Sequence, residues 1–175
     1  MRRELTMALL VGVALGGAAL AQNLGKPATP AAVAAADISI GPDGAGLPPG
    51  SGSVAEGAGV YAAKCVACHG PDGAGAPGDR LTGGVGTLNT ARPVRTVASF
   101  WPYATTVFDY TRRAMPLGAP QSLTNAEVYA VTAYILSIDG IVAKDARLDA
   151  ASLPRVVMPN RGGIVDWEPK LRRPR

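Results

Sequence analysis

An all-α domain is predicted for residues 54–142, and three observations predict it. Apolar residues recur there at helical spacing, two capping boxes open the periodic runs, and no stretch alternates convincingly with period two. The flanking segments differ in kind, being rich in Ala, Pro and Gly before the domain and in Pro and basic residues after it.

At the amino terminus, Arg2 and Arg3 precede an apolar run from Met7 to Leu20, and Ala19-Leu20-Ala21 supplies a small-X-small cleavage pattern ahead of Gln22. This predicts an export signal over 1–21, cut after Ala21. A retained anchor is the alternative, but the run falls short of the roughly 20 residues a spanning helix needs. Nothing after Ala21 approaches that length, so a soluble periplasmic chain is expected. Residues 22–53 carry too few apolar side chains to build a core and are predicted as an Ala/Pro/Gly-rich linker.

The first helix of the domain opens at Ser53-Val54-Ala55-Glu56, a Ser-X-X-Glu box in which each end satisfies the other. Val54, Ala58, Tyr61, Ala62 and Cys65 follow on one face. Pro102 to Arg113 is predicted as a helix with Pro in its first turn and Ala104, Val107, Phe108 and Thr111 inward. The last helix repeats the first device: Thr124-Asn125-Ala126-Glu127 caps it, and Leu123 and Val128 stand at the staple positions. Its stripe is Val128, Val131, Ile135 and Ile138, and Asp139-Gly140 ends it. From Ala143 the helical period vanishes, and 143–175 is predicted as an extended basic arm outside the folded core.

The chemistry lies in Cys65-Val66-Ala67-Cys68-His69, which uses both cysteines and the only histidine. Two thiols three residues apart can each form a thioether with one haem vinyl group, and the adjacent imidazole then falls under the iron. Zinc would need four ligands, and no further Cys or His exists to complete a structural site. A redox dithiol belongs beside a βαβ pattern, which is absent. One covalently bound haem c is therefore expected, with His69 as one axial ligand. It also replaces the disulfides that small exported domains often rely on.

The second axial ligand must come from elsewhere, since no further histidine exists, and methionines are the candidates. Met1 and Met7 leave with the signal, so Met115 and Met158 remain. Met115-Pro116 lies in a loop between the packed helices, whereas Met158-Pro159 lies beyond the last one, which makes Met115 the stronger candidate. Either thioether can instead fill a gap in a core.

These residues resemble the class I cytochrome c family over roughly Val54 to Ile141. The resemblance rests on Gly57 and Tyr61 before the Cys-X-X-Cys-His run, the Met-Pro loop, and Val131-Thr132-Ala133-Tyr134-Ile135 near the end. It implies a small helical fold around one haem with His/Met ligation. It also implies that the first and last helices cross at Gly57, against Val131, with Tyr61 meeting Tyr134. The His69 N–H is expected to donate to a loop carbonyl, that of Pro71 or Pro77. Tyr61, Arg92, Arg95, Trp101 and Tyr103 are implied as haem-pocket residues, the last four as propionate partners.

A narrower resemblance joins Phe100 to Tyr110, Arg112 to Pro116, Ala119 to Leu123 and the arm from Leu153 to Arg161 to the cytochrome subunit of Sox sulfane dehydrogenases and periplasmic sulfite dehydrogenases. It implies an electron-transfer subunit. Electrons would come from a separate molybdenum-containing catalytic subunit and pass to a downstream periplasmic or membrane acceptor of the respiratory chain. The molybdenum chemistry cannot reside in this chain, since no cysteine is free to ligate the metal, and a haem peroxidase would need a distal base that the chain lacks. The chain itself is thus not expected to be an enzyme. A freely diffusing carrier between unrelated partners is the alternative function.

Charge points to where a partner would dock. Of the formal net charge of +4, the arm from Ala143 onward alone carries as much, and 22–142 is nearly neutral. Such an arm suits an acidic patch on another protein. Nucleic acid is excluded by compartment and by the lack of aromatics interleaved with the basic residues.

Overall fold

The computed structural model describes residues 25–164. The predicted signal over 1–21, Trp167 and the terminal Arg172-Arg173-Pro174-Arg175 run lie outside them. The chain divides into two units, Met1–Ile38 and Ser39–Arg175. In the first, a short helix α1, Pro30–Ala36, stands where an irregular linker was expected. Thr29 caps it, Pro30 sits in its first turn, and none of its residues is buried.

The second unit contains β1 (Ser51–Ser53), α2 (Val54–Lys64), α3 (Val66–His69), α4 (Val97–Phe100), α5 (Ala104–Ala114), α6 (Asn125–Ile138) and β2 (Arg147–Asp149), with 3-10 turns at Pro71–Gly73 and Leu153–Arg155. It is mostly helical, as expected. Both anticipated capping boxes form: Ser53 Oγ accepts from the Glu56 N–H while Glu56 accepts from the Ser53 N–H, and Thr124 and Glu127 do the same. A third box, between Thr96 and Ser99, starts α4, a helix too short for periodicity to signal.

Helix α6 is the centre of the unit. Val128, Tyr129, Val131, Ala133 and Leu136 are all 0% exposed, so the helix is buried far beyond the single stripe its spacing suggested. It packs against α2, α5 and a small sheet. In that sheet β1 and β2 pair antiparallel, Gly52 opposite Leu148, so the end of the predicted linker and the start of the predicted arm meet each other. The Val54 N–H donates to the Ala146 carbonyl, and Arg147 reaches both Glu56 and the Ser51 hydroxyl.

The limits 54 and 142 therefore fall inside the folded unit, a correction at both ends. Upstream, Tyr129 donates to the Pro48 carbonyl and Asn125 to that of Pro49. Downstream, Leu148, Leu153 and Met158 join the buried core. Burying a Leu or Met side chain stabilises by roughly 1.5–3 kcal/mol, enough to hold a segment with little secondary structure of its own.

The middle helix begins at Ala104 rather than Pro102. Trp101 is extended (φ −74, ψ 130), the conformation that a following proline favours, and Tyr103 is the cap. On the first helix, Ala62 is exposed, whereas Val54, Gly57 and Tyr61 are buried.

Candidate functional site

Cys65 ends α2 and begins α3, a single helical turn in which the Cys68 and His69 N–H groups both donate to the Cys65 carbonyl. Gly70 then takes φ +70, where a Cβ would crowd the Gly75 carbonyl, and the chain reverses. Beyond it, Gly75 donates to the His69 carbonyl and Gly78 to that of Cys68, which folds residues 70–79 back along the motif.

This return brings the Asp79 carbonyl to 2.7 Å from His69 Nδ1. The N–H must sit on Nδ1, so the Nε2 lone pair is the one left for a metal. Neither Pro71 nor Pro77 supplies the acceptor. A backbone carbonyl has no side-chain signature, and only the path of the loop selects which residue provides it.

Tyr61, 2% exposed, lies behind the motif and donates its hydroxyl to the Gly70 carbonyl at 2.8 Å. Burial, above all, pushes its pKa up to about 12, so it remains a donor throughout the accessible pH range. Its ring meets Tyr134, centroids 5.1 Å apart, as the resemblance implied. The close approach at Gly57 is to Ala130 rather than Val131: a methyl there would overlap the Ala130 carbonyl. Gly52 of β1 meets the backbone of Ala130 as well, a requirement the sequence did not advertise.

Met115 is the C-cap of α5, half-buried and extended, its N–H on the Thr111 carbonyl. Met158 is 1% exposed and packed in the core with Leu153. Met158 is thus part of the packed core, whereas Met115 is only partly buried.

The implied propionate partners lie on 92–103. Arg92 and Arg95 are exposed, and Arg95 stands 5.7 Å over the Phe100 ring. Trp101 and Tyr103 are half-buried; Trp101 meets Tyr110 edge-on at 5.6 Å, and the Arg161 guanidinium lies 4.3 Å over the Tyr103 ring. A cavity of about 420 Å³ beside them is lined by Leu88, Pro93, Arg95, Phe100, Asn160 and Ile164, among others. A hydrogen bond thus ties Tyr61 to the turn after His69, Trp101 packs on α5 through Tyr110, and Tyr103 meets the arm through Arg161.

The donor set suits a covalently held haem. Both thiols are free, Cys68 exposed and Cys65 half-buried, so two thioethers can form without opening the core. Burial pushes the Cys65 thiol pKa up, which keeps it protonated at neutral pH until it reacts. Among the described residues no group of three or more His, Cys, Asp or Glu stands together to hold a bare metal ion. No described helix is long and apolar enough to cross a membrane.

Comparison with known proteins agrees with this chemistry. The family model for cytochrome c matches residues 54–139. Among solved structures, the sulfane dehydrogenase SoxCD from Paracoccus pantotrophus contains a chain 42% identical, with TM-score 0.76, over 84% of this chain and 73% of that one. A search of the curated proteins finds no match. With the family model on the domain and an identity of this size across most of both chains, the chain belongs to the cytochrome c family and carries covalently bound haem c, for which Cys65 and Cys68 are the fitting pair.

Proposed function

We propose that this cytochrome is the electron-transfer subunit of a periplasmic, molybdenum-containing dehydrogenase of sulfane or sulfite, passing electrons onward to the respiratory chain. The observation that carries this reading is the reach of the likeness to the SoxCD chain. It covers 84% of the chain, whereas the family model takes in only 54–139, so the likeness extends into the flanking segments that a generic carrier need not share.

In this reading Cys65 and Cys68 would form the thioethers that hold the haem, and His69 and Met115 would be its iron ligands. The haem supplies a one-electron couple whose potential His/Met ligation raises. His69 is held in one tautomer and orientation by its N–H on the Asp79 carbonyl. Tyr61 fixes the turn at Gly70, directly after the ligand. Arg92, Arg95, Trp101 and Tyr103 would serve the propionates as donors and cations. With His69 and Met115 both committed to the iron, no position there would be left for a substrate, which would suit a carrier.

The test is purification from the native source. One haem per chain by pyridine haemochrome, resistant to acid extraction, is expected, together with a co-purifying partner that contains molybdenum and reduces the cytochrome when given a sulfur substrate. Isolation as a lone monomer that no such enzyme reduces would favour the freely diffusing carrier instead.

A further inference from the structure

The arm reaches back to the segment that carries two of the proposed propionate partners. Trp101 to Tyr103 links α4, which ends at Phe100, to α5 without helical structure of its own, and Pro102 contributes no N–H. Besides the Trp101–Tyr110 ring contact, the arm holds it from 160 and 161. Asn160 Nδ2 donates to the Phe100 carbonyl at 2.7 Å, and the Arg161 guanidinium covers the Tyr103 ring at 4.3 Å. Met158, buried two residues earlier, anchors this stretch of the arm in the core. The pair is therefore presented from a fixed point.

We propose that Arg161 is a positioning residue for the haem pocket: by packing on Tyr103, with Asn160 holding the Phe100 carbonyl, it sets the aim of the Tyr103 hydroxyl and through it the reduction potential. This rests on the reading of Tyr103 as a propionate partner. A propionate that loses a donor presents more negative charge to the iron, and negative charge favours the oxidised state. Loosening Tyr103 should therefore lower the potential. An arginine near the haem would also raise the potential through space, so the two routes have to be separated.

A double-mutant cycle on the holo-cytochrome separates them, read by spectroelectrochemical titration with haem content and thermal unfolding measured in parallel. Arg161→Ala is expected to shift the reduced-to-oxidised ratio at fixed ambient potential about threefold to tenfold toward oxidised, tenfold being about 59 mV for one electron. Arg161→Lys keeps the cation over the ring and should recover much of the loss. In a Tyr103→Leu background, Arg161→Ala should have little further effect. Asn160→Ala, which frees the Phe100 carbonyl, should shift the ratio in the same direction.

An Arg161→Ala effect that persists undiminished beside Tyr103→Leu would be through-space charge alone and would overturn the proposal. So would Arg161→Ala lowering the unfolding midpoint with no change in potential. A silent Tyr103→Leu would remove the reading of Tyr103 and this inference together. An active Tyr103→Leu with a silent Arg161→Ala would remove the inference only.

Discussion

The Cα of Gly57 in α2 lies so close to the Ala130 carbonyl in α6 that any side chain at 57 would overlap it. A glycine inside a helix ordinarily costs about 1 kcal/mol against alanine, so Gly57→Ala would stabilise an exposed helix. Here the methyl meets backbone, which cannot swing aside, and the overpacking cost of about 1–3 kcal/mol exceeds the gain. Net destabilisation is expected, read as a lower denaturant midpoint, with a larger effect for Gly57→Val. A stabilised Gly57→Ala would mean that the helices do not cross there.

The two methionines should separate cleanly by readout. Met115→Ala is expected to abolish the long-wavelength sulfur-to-iron band of the oxidised protein and lower its potential. Met158→Ala should leave both intact while lowering stability by about 2–5 kcal/mol, the usual cost of emptying a core site. The reverse pattern would put Met158 on the iron and contradict its place in the core.

Acid should unfasten α2. The Ser53 N–H, then the Ser53 hydroxyl and Arg147, hold the Glu56 carboxyl down at about 2 from an ordinary 4.5. Because the folded value is the lower one, the ionised form stabilises the fold. That contribution is complete above about 4.5 and drains away as pH falls toward about 2. Glu127, lowered chiefly by Lys64 and then by the Thr124 N–H, acts in the same sense. Urea midpoints should fall across this window, and Glu56→Gln should flatten the fall. An unchanged slope in the variant would show that the box contributes nothing measurable.

Truncation should distinguish the two parts of the arm. Removing 165–175 is expected to leave the haem spectrum and unfolding midpoint unchanged while weakening association with the proposed dehydrogenase partner and making the remaining affinity less salt-sensitive. Cutting before Leu153 removes two core side chains, Leu153 and Met158, and should unfold the domain or lose its haem. A shorter chain from that cut that stays fully stable would restore the view of the whole arm as an accessory.

Much of the site could be read directly from residue types. Cys65, Cys68 and His69 are chemically unambiguous at their spacing, and the Ser53/Glu56 and Thr124/Glu127 boxes mark helix starts because a cap is a contact within four residues. The carbonyl under His69 was not legible, since every residue of the 70–79 loop offers one and only the fold back toward Cys68 selects Asp79. Gly52 was equally silent: a glycine in a glycine-rich stretch carries no signal until Ala130 is placed against it.

The sequence by itself determined the covalent haem chemistry, the helical class and the termini of the two main helices, because each depends on groups a few positions apart. Tertiary structure alone decided which carbonyl accepts from His69, that Met158 packs in the core and how far the folded unit extends. A linker and an arm each look coreless when taken singly. Gly52 and Leu148 face each other across a two-strand ribbon nearly a hundred residues apart in sequence, and Leu153 and Met158 are buried against helices that pass earlier in the chain. Burial is a property of the assembled surface, and short-range patterns cannot report a partner that arrives from the other end of the chain.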